Sequence, residues 1–429
     1  MPHYGDTEVI AAVLIFAITF AFLISERVHR TTASIAGAMA MIVVGIEGYG
    51  QKEAFAAIDL NVIFLLVGMM IIVNLLATTG VFQWLSVRAA KMARGRPLLL
   101  VLLLSLVTAV ASAFLDNVTT VILVAPVTLI LANTLEVKAA PILIAQALAS
   151  NLGGASTLVG DPPNILIASG AGLSFTEFAA HMAPVSVLSL LGGLGTLAFL
   201  MRKDMVASPD AAERILQLDD SDLIVDPSLL RRGLAVLALT IVGFVFHGAL
   251  DLEPATIALS GAALILLVSN ADPHHVLRDV EWTTVVFFVG LFVIVGGLEH
   301  TGVLADVAKG IRDVSGGSET AAAFLLLWVS ALLSGVVDNI PYTAALIPVV
   351  ANLKEDIGGG DVLWWSLAIG ADFGGNLTII GASANVLVAN LAARGGSPIR
   401  FWDFVRYGAP VTLVTMSISS LYIWLRYLA

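Results

Sequence analysis

The sequence predicts an all-α polytopic membrane protein. Two inverted-topology repeats are expected, each with five transmembrane helices, one of them broken, plus a re-entrant helical hairpin. Three observations predict this fold class. The chain of 429 residues is 58% apolar and only 12% charged, whereas an ordinary soluble domain is about 25% charged. Its apolar residues fall into twelve long runs, and the last six runs repeat motifs of the first six.

The composition excludes several classes of protein. With a mean hydropathy of +0.96, the chain cannot cover a water-facing surface, which excludes a soluble enzyme, a disordered chain and a nucleic-acid-binding chain. The absence of cysteine excludes disulfides and thiolate metal sites. Because no phosphate-cradling loop with a lysine is present, we expect no ATP hydrolysis. No enzyme activity, cofactor or metal is expected.

A spanning helix needs about 20 apolar residues, and the runs suffice for ten spans with two hairpins. They precede and follow a polar stretch at 202–232, and they occupy residues 9–24, 33–46, 60–79, 98–131, 141–170, 184–201, 233–250, 255–269, 283–299, 321–350, 363–391 and 408–427. In each half the fourth and fifth runs carry polar residues or helix breakers in the middle. Proline and paired glycines interrupt helices and leave backbone groups unpaired.

An internal repeat is the strongest signal in the sequence. Offsets of 222 and 221 residues align Asp116-Asn117 with Asp338-Asn339, Gly153-Gly154 with Gly374-Gly375, and Asn164 with Asn385. Chance similarity of two apolar halves would not keep these residues in register. Interrupted segments at corresponding positions of two halves indicate the binding site of a transporter.

The repeat also predicts the topology. We interpret 98–131 and 321–350 as hairpins that enter and leave the membrane on one face, so each half crosses five times. An odd number of crossings inverts the second half relative to the first. The chain then divides into a first repeat at 1–201, a cytoplasmic linker at 202–232 and a second repeat at 233–429.

Basic residues predict the orientation. With the N-terminus outside, the inner segments hold 16 Lys and Arg residues and the outer segments hold 5, which satisfies the positive-inside rule. We therefore expect an integral protein of a prokaryotic plasma (inner) membrane with both termini outside. We interpret Trp364, Trp365 and Trp402 as anchors at the membrane interface.

Four carboxylates inside the apolar runs are the candidate groups for coupling to protons or other cations: Asp116, Asp338, Asp161 and Asp372. Each costs roughly 2.5–3.5 kcal/mol at mid-membrane on insertion scales unless it is paired or faces water. Alternatively, such a carboxylate only caps the start of a half-helix, which applies most to Asp161 because two prolines follow it. Asp372 has no acidic counterpart, since Asn151 occupies the equivalent position.

Neutral side chains near the breaks are the candidate solute ligands: Asn117, Thr119, Thr120, Thr157, Asn164, Asn339, Asn376, Thr378 and Asn385. Free backbone groups of the broken helices at Gly153, Gly154, Gly374 and Gly375 complete the expected site. For any single threonine, bonding to the preceding helical turn is the alternative. No Arg or Lys lies in the broken segments, so the predicted site is polar, acidic and free of cationic side chains.

The segments FLDNVTTVILVAPVTLI (114–130) and NLGGASTLVGDPPNILIAS (151–169) resemble the signature of the ion transporter superfamily. The branch is ArsB/NhaD, which includes arsenite permeases, NhaD sodium/proton antiporters and the melanosomal P protein. The resemblance implies scaffold parts at 1–97 and 233–320, transport parts at 98–201 and 321–429, and a solute between two hairpin tips. Dicarboxylate transporters of the superfamily carry Ser-Asn-Thr at those tips, where this chain has Asp116-Asn117-Val118-Thr119 and Asp338-Asn339-Ile340-Pro341.

That departure favours proton coupling and a neutral or cationic solute. Our leading hypothesis is arsenite or antimonite efflux coupled to proton influx by alternating access, because trivalent arsenic is a neutral trihydroxide that Asn and Thr groups suit. A sodium/proton antiporter, an organic-anion (dicarboxylate-type) transporter and a channel are the alternatives. The expected partners are the lipid bilayer, a small inorganic solute and protons. The resemblance adds a soluble ArsA-type ATPase and a second copy of the chain as candidates.

Overall fold

The computed structural model describes residues 6–25, 27–203, 205 and 210–429, and it is helical throughout without a strand in these residues. Residues 1–5 and 26 of the predicted first repeat and 204 and 206–209 of the predicted linker lie outside the described residues. The helices are α1 Asp6–Ser25, α2 Arg30–Val44, α3 Gln51–Ala56, α4 Leu60–Ala77, α5 Val81–Ala93, α6 Pro97–Ser112, α7 Asn117–Leu135, α8 Ala139–Gly154, α9 Pro162–Ala171, α10 Phe175–Met201, α11 Ala211–Leu216, α12 Pro227–Leu250, α13 Pro254–Ser269, α14 Pro273–Arg278, α15 Trp282–His300, α16 Val303–Val314, α17 Glu319–Ser334, α18 Asn339–Ile357, α19 Val362–Gly374, α20 Ser383–Arg394 and α21 Phe401–Ile423, followed by a π-helical turn at Trp424–Leu428.

Seven of the described helices are long and apolar enough to cross a membrane. An eighth candidate span is the pair α16 and α17, which meet at an angle of 116°. Five shorter apolar helices account for other predicted runs: α2, α6, α8, α13 and α19. The chain is therefore an all-helical membrane protein, and its predicted long runs are resolved into shorter helices at polar breaks.

Both predicted hairpins form from two helices joined at a polar turn. The first hairpin, α6 and α7, turns between Ser112 and Asn117, and the second hairpin, α17 and α18, turns between Ser334 and Asn339. Both turns have an aspartate as the last residue, and its side chain accepts a bond from the backbone of the next helix. The buried turns are thereby stabilised as helix starts.

The two predicted broken helices are also confirmed. The first broken helix consists of α8 and α9, and the second consists of α19 and α20. Each packs against the incoming arm of its own hairpin. A Cβ atom on Gly153 would overlap the backbone of Ala109 in α6, and one on Gly374 would overlap the backbone of Ala331 in α17. These two glycines allow the backbones to approach closely, as small residues do in membrane bundles.

Equivalent helices of the two halves pack in a symmetric pattern. Gly68 of α4 lies against Ala258 of α13, and the equivalent Gly290 of α15 lies against Ser34 of α2. The helices α1, α2, α4, α12, α13 and α15 pack mainly on one another, whereas α6 to α10 pack with α17 to α21. The fold thus separates into two helical groups, and each group contains helices from both halves.

The equivalent helices α10 and α21 run antiparallel, which shows the inversion directly. The Tyr422 hydroxyl near the end of α21 donates to the carbonyl of His181 near the start of α10, over 2.7 Å. Further along, Gly192 of α10 faces Val414 of α21. Since α10 and α21 occupy the same place in the two repeats, opposite directions here mean inverted repeats.

One tryptophan prediction is wrong. Trp364 and Trp365 are buried at the start of α19 rather than exposed as interfacial anchors. The ring of Trp365 stacks on His181 with centroids 4.5 Å apart, so it belongs to the packing between α19 and α10. Trp402 is exposed, as an anchor requires.

Candidate functional site

The two hairpin tips have the same construction. Asp116 accepts from the backbone N–H of Thr119 over 2.8 Å, and Asp338 accepts from that of Ile340 over 3.0 Å. In both aspartates this bond uses Oδ1. Both carboxylates therefore cap half-helices, which was the alternative to a coupling role at these positions. The first residue of each capped helix is a buried asparagine.

Two predicted threonines fasten the broken helices to the tips. The Thr157 hydroxyl donates to the carbonyl of Ala113, and the Thr378 hydroxyl donates to that of Gly335 over 2.6 Å. Their hydroxyl hydrogens are thus committed to backbone. Thr120 is buried without a hydrogen-bond partner for its hydroxyl, whereas Thr119 contacts Asp116 at the first tip through its backbone N–H and its side chain.

Asn164 and Asn385 hold the two breaks closed in the same way. The Asn164 amide donates to the carbonyls of Gly154 and Thr157, at 3.2 and 2.9 Å. The Asn385 amide donates to those of Gly375 and Thr378, at 2.8 and 2.9 Å. Each amide has two hydrogens, so both are used in each residue. Only the side-chain oxygens remain to face the site.

A network of amides joins the two halves at these breaks. Asn117 donates to Asn151 Oδ1 over 3.1 Å and to Asp161 Oδ2 over 2.7 Å. Asn151 in turn donates to Asn376 Oδ1 over 2.9 Å and to Asn385 Oδ1 over 3.1 Å. All five side chains are buried. Asp161 occupies the N-cap position of α9 but makes no capping bond, so its bond to the hairpin replaces the expected helix cap.

Asp372 breaks the symmetry of this network. It is 0% exposed, and neither carboxylate oxygen has a hydrogen-bond partner. It occupies the position equivalent to Asn151, and the side chain beside it is Asn164, the equivalent of Asn385. The Asn164 Oδ1 atom is also buried without a partner. These oxygens lack a donor where the equivalent pair in the other half has one, from Asn151 to Asn385, and a proton on Asp372 would supply a donor.

A small cavity between the hairpin tips brings four of the predicted site residues together with four other polar side chains. The predicted residues in its lining are Asp116, Asn117, Asp161 and Asn339, and the others are Arg30, Glu281, Thr284 and Ser383. The expectation of a site without cationic side chains is wrong, because Arg30 reaches it from the start of α2. Arg30 lies outside the broken segments, and the second half has no arginine at the equivalent position.

Two larger cavities lie between the helical groups, one for each half. A cavity of about 420 Å³ is lined by Arg30, Asp338, Phe287, Val386 and Asn390. A cavity of about 680 Å³ is lined by the equivalents of the last three, Leu65, Ile165 and Ser169, with Glu177 and Glu253. The smaller cavity reaches a hairpin tip at Asp338. The larger one includes neither tip aspartate, and Ser169 there donates to Asp59, the N-cap of α4.

The described residues contain no group of three or more His, Cys, Asp or Glu side chains that could hold a metal ion. The small cavity between the hairpin tips is lined by carboxylates and by Arg30. The arrangement can therefore bind protons at carboxylates, donate hydrogen bonds from amides, and offer one guanidinium to a solute or to its own acids.

Comparisons with known proteins agree with a transporter. A family model described as citrate transporter (CitMHS) matches residues 20–370. An uncharacterized transporter of Mycobacterium tuberculosis is 46% identical over 425 residues, which are 97% of this chain and 98% of that protein. The P protein of Homo sapiens is 32% identical over 502 residues, covering 97% of this chain and 60% of P protein.

A solved structure shows the same fold. The crystal structure of the YdaH transporter of Alcanivorax borkumensis, described as having an unusual topology, matches with a TM-score of 0.60. The match covers 98% of this chain and 97% of YdaH at 14% sequence identity. At that identity the likeness concerns the fold alone.

Proposed function

The chain belongs to the citrate transporter (CitMHS) family and is a membrane transporter, and from this premise we propose that it is a secondary active transporter driven by protons. Asp372 is the proposed proton site. The hairpin tips and the broken helices form the proposed solute site. The motifs at 114–130 and 151–169 support a place in the ArsB/NhaD branch of the ion transporter superfamily.

The contact between Asp372 and Asn164 carries the proposal. Both amide hydrogens of Asn164 are used by backbone carbonyls, and its side-chain oxygen is buried without a partner. An ionised Asp372 would leave its own oxygens and that of Asn164 without a donor, and burying an unpaired charge in a membrane is costly. A protonated Asp372 donates to Asn164 as Asn151 donates to Asn385. Gain and loss of this one proton therefore make and break a bond inside the transport part.

The other acids distinguish the proposed proton site from the tips. Asp161, Asp116 and Asp338 each accept a hydrogen bond from a protein N–H group, whereas Asp372 accepts none. A carboxylate with accepted bonds suits a cation or a hydrogen-bonding solute, whereas one without donors suits a proton. We assign coupling to Asp372 and solute or cation contact to the tips with Asn117 and Asn339.

The two equivalent cavities support alternating access. In an inverted repeat, each half forms the same kind of cavity on opposite sides of the membrane. Here the 420 Å³ cavity reaches Asp338 while the equivalent 680 Å³ cavity does not include a tip aspartate. We propose that the described state is open on the Arg30 side and that motion of the transport helices exchanges the roles of the two cavities.

For the solute, we propose arsenite or antimonite efflux against proton influx as the first candidate, supported by the neutral amide network. An organic anion such as citrate is the second candidate, and its support is the description of the family model with the guanidinium of Arg30 in the cavity. Sodium/proton antiport is the third, supported by the carboxylates at the tips. Each candidate requires a different driving gradient across the same membrane.

Reconstituted vesicles test the proposal. Purified protein is placed in vesicles loaded with a pH-sensitive dye, and gradients of arsenite, citrate or sodium are imposed separately. We expect one of them to drive a change in internal pH. In Asp372→Asn the change should fall at least about tenfold, because an amide donates to Asn164 but exchanges no proton under these conditions.

The exposed linker residue Asp222 provides a matched control. Asp222→Asn removes one carboxylate of the same type outside the site and should retain the parent rate. Proton movement that survives in Asp372→Asn would overturn the assignment of the proton site. Solute movement without any pH change would overturn proton coupling itself.

A further inference from the structure

Arg30 is the basic side chain at the candidate site, and two hydroxyls connect it to two carboxylates. One guanidinium nitrogen donates to Ser383 Oγ over 2.6 Å and another donates to Thr284 Oγ1 over 2.9 Å. The Ser383 hydroxyl donates to Asp338 Oδ2 over 2.7 Å, and the Thr284 hydroxyl donates to Glu281 Oε2 over 2.8 Å. We name these five residues the Arg30 chain.

The direction of each bond in the Arg30 chain is fixed. A hydroxyl has one hydrogen, and both hydroxyls give it to a carboxylate, so their lone pairs are what Arg30 binds. Arg30 makes no direct ion pair within 4.0 Å among the described residues. Its charge therefore stabilises the two acids through one hydroxyl each. The ring of Phe287, 5.6 Å from the guanidinium carbon, supports it from the side.

The Arg30 chain crosses the boundary between the two helical groups at one bond. Arg30 and Thr284 lie on α2 and α15, which pack on each other. Ser383 and Asp338 belong to α20 and the tip before α18, in the group of hairpins and broken helices. If the transport helices move against the others, the bond from Arg30 to Ser383 must break, whereas its bond to Thr284 can remain.

The symmetry-related positions hold no equivalent of the Arg30 chain. Pro254 begins α13 where Arg30 begins α2, Val62 stands in place of Thr284, and Pro162 stands in place of Ser383. None of these side chains donates or accepts a hydrogen bond. On that side Ser169 donates to Asp59, and the backbone N–H of Phe175 donates to His247 Nε2; neither bond involves an arginine. The contacts between the two helical groups are therefore chemically different on the two sides.

Several ionisable groups face Arg30 from the elements around it. Glu281 comes from the start of α15, Asp338 from the second tip, Asp116 and Asp161 from the first tip and the start of α9, and His29 from its own helix start. The acids outnumber the cation when they are ionised. Neutralising a carboxylate of the Arg30 chain would weaken the hydrogen bonds of that chain, since a neutral carboxyl is a weaker acceptor.

We propose that Arg30 is a coupling residue: it ties Ser383 and Asp338 to the scaffold, and neutralisation of the acids that face it releases this tie, so that the 420 Å³ cavity closes. This inference rests on proton-driven transport but concerns a different group from Asp372. It assigns Arg30 a positioning role, because it acts on Asp338 through Ser383. In the state that is open on the Arg30 side, the guanidinium supplies the positive charge near Asp338.

The absence of cysteine permits a direct test without knowledge of the solute. A single Asn390→Cys substitution places one thiol in the 420 Å³ cavity, and Leu252→Cys places one in the 680 Å³ cavity. The rate of modification by a water-soluble methanethiosulfonate reagent is measured in vesicles between about pH 8 and about pH 5.5. Val225→Cys, exposed in the linker, corrects for the ionisation of the thiol itself.

With Arg30 present, we expect the corrected rate at Asn390→Cys to fall about fivefold or more toward low pH, and the rate at Leu252→Cys to rise, as the populations shift. Arg30→Gln should flatten both profiles, and Arg30→Lys should give an intermediate profile because an ammonium lacks the planar fork that reaches two hydroxyls. Ser383→Ala should behave like Arg30→Gln. Arg27→Gln, an exposed arginine three residues earlier, is the matched control and should keep the parent profile.

Two results would overturn the inference. If the parent profile depends on pH and Arg30→Gln with Ser383→Ala has the same profile, Arg30 does not couple protonation to closure. If the parent rates do not depend on pH, protonation does not close the cavity. Proton movement in the vesicle assay with Asp372→Asn is measured separately, so loss of the proposed function and loss of this role are distinguishable.

Discussion

The amide of Asn151 donates to Oδ1 of Asn385 over 3.1 Å, which bonds the broken helix of the first half to that of the second. Its other hydrogen goes to Asn376, and its oxygen accepts from Asn117. Every polar atom of this side chain is used in a buried site. Asn151 is thus the centre of the contact between the halves.

Asn151→Leu should therefore destabilise the fold. The leucine keeps the approximate volume but leaves two buried amide oxygens without a donor, and each such loss costs about 1–3 kcal/mol. We expect a lower thermal unfolding midpoint in detergent. Asn133→Leu, on the exposed face of α7, is the control and should change the midpoint little. An unchanged midpoint for Asn151→Leu would contradict the network.

Substitutions at Asp372 should show whether its side chain donates a hydrogen bond to Asn164. Asp372→Asn supplies a donor to Asn164 and is expected to keep or raise the unfolding midpoint. Asp372→Leu supplies none, leaves the Asn164 oxygen unpaired, and should lower the free energy of unfolding by about 1–3 kcal/mol. Equal midpoints for the two variants would show that Asp372 does not bond to Asn164.

Gly153→Ala should disturb the packing of the first broken helix on its hairpin. The added methyl group would overlap backbone atoms of Ala109, and backbone cannot move aside as a side chain can. Overpacking of this kind costs about 1–3 kcal/mol. Gly195→Ala is the matched control, because nothing lies near that position of α10 and alanine favours a helix by about 1 kcal/mol. In thermal unfolding we expect Gly153→Ala to lower the unfolding midpoint and Gly195→Ala to raise it.

The linker should detach from the membrane-facing helices when Asp220 loses its charge. Lys91 donates to Asp220, and this bond holds the pKa of the Asp220 carboxyl below its ordinary value of 3.8. Because the folded pKa is the lower one, the stabilising contact is complete above that ordinary value and is lost as the pH falls through the folded pKa.

Asp220→Asn should raise amide hydrogen exchange in the linker about three- to tenfold at neutral pH. Mass spectrometry of peptides from 213–226 measures this. The exchange of the parent should approach that of the variant only under acid conditions below pH 3.8. Asp222→Asn tests whether any lost carboxylate has the same effect, and a similar rise there would assign the result to net charge.

The sequence predicted the parts of the site that the repeat makes visible. Asp116 and Asp338, or Gly153 and Gly374, appear twice in register, and the structure places both members of each pair in equivalent contacts. Arg30 escaped prediction because it has no partner at position 254 and its three-dimensional neighbours come from other helices. Periodicity within one helix does not contain that information.

Trp365 illustrates a second limit. Tryptophan at the start of an apolar run is typical of the membrane interface. Here, however, the run is the first arm of a broken helix that is packed inside the bundle. The ring stacks on His181 of α10, so tertiary packing determines its environment. Similarly, the asymmetry between Asn151 and Asp372 is visible in the sequence, but the side chains that lie beside each of them are known only from the structure.

The bonds from Asn151 to Asn376 and Asn385 also constrain how the protein is made. The first half enters the membrane before the last third of the chain has been synthesised, so during that interval a buried amide lacks its two acceptors. Lipid offers no substitute for them. The early half must therefore remain loosely packed, or shielded by the insertion machinery, until the second broken helix arrives. The site is therefore completed only after the second broken helix has been synthesised.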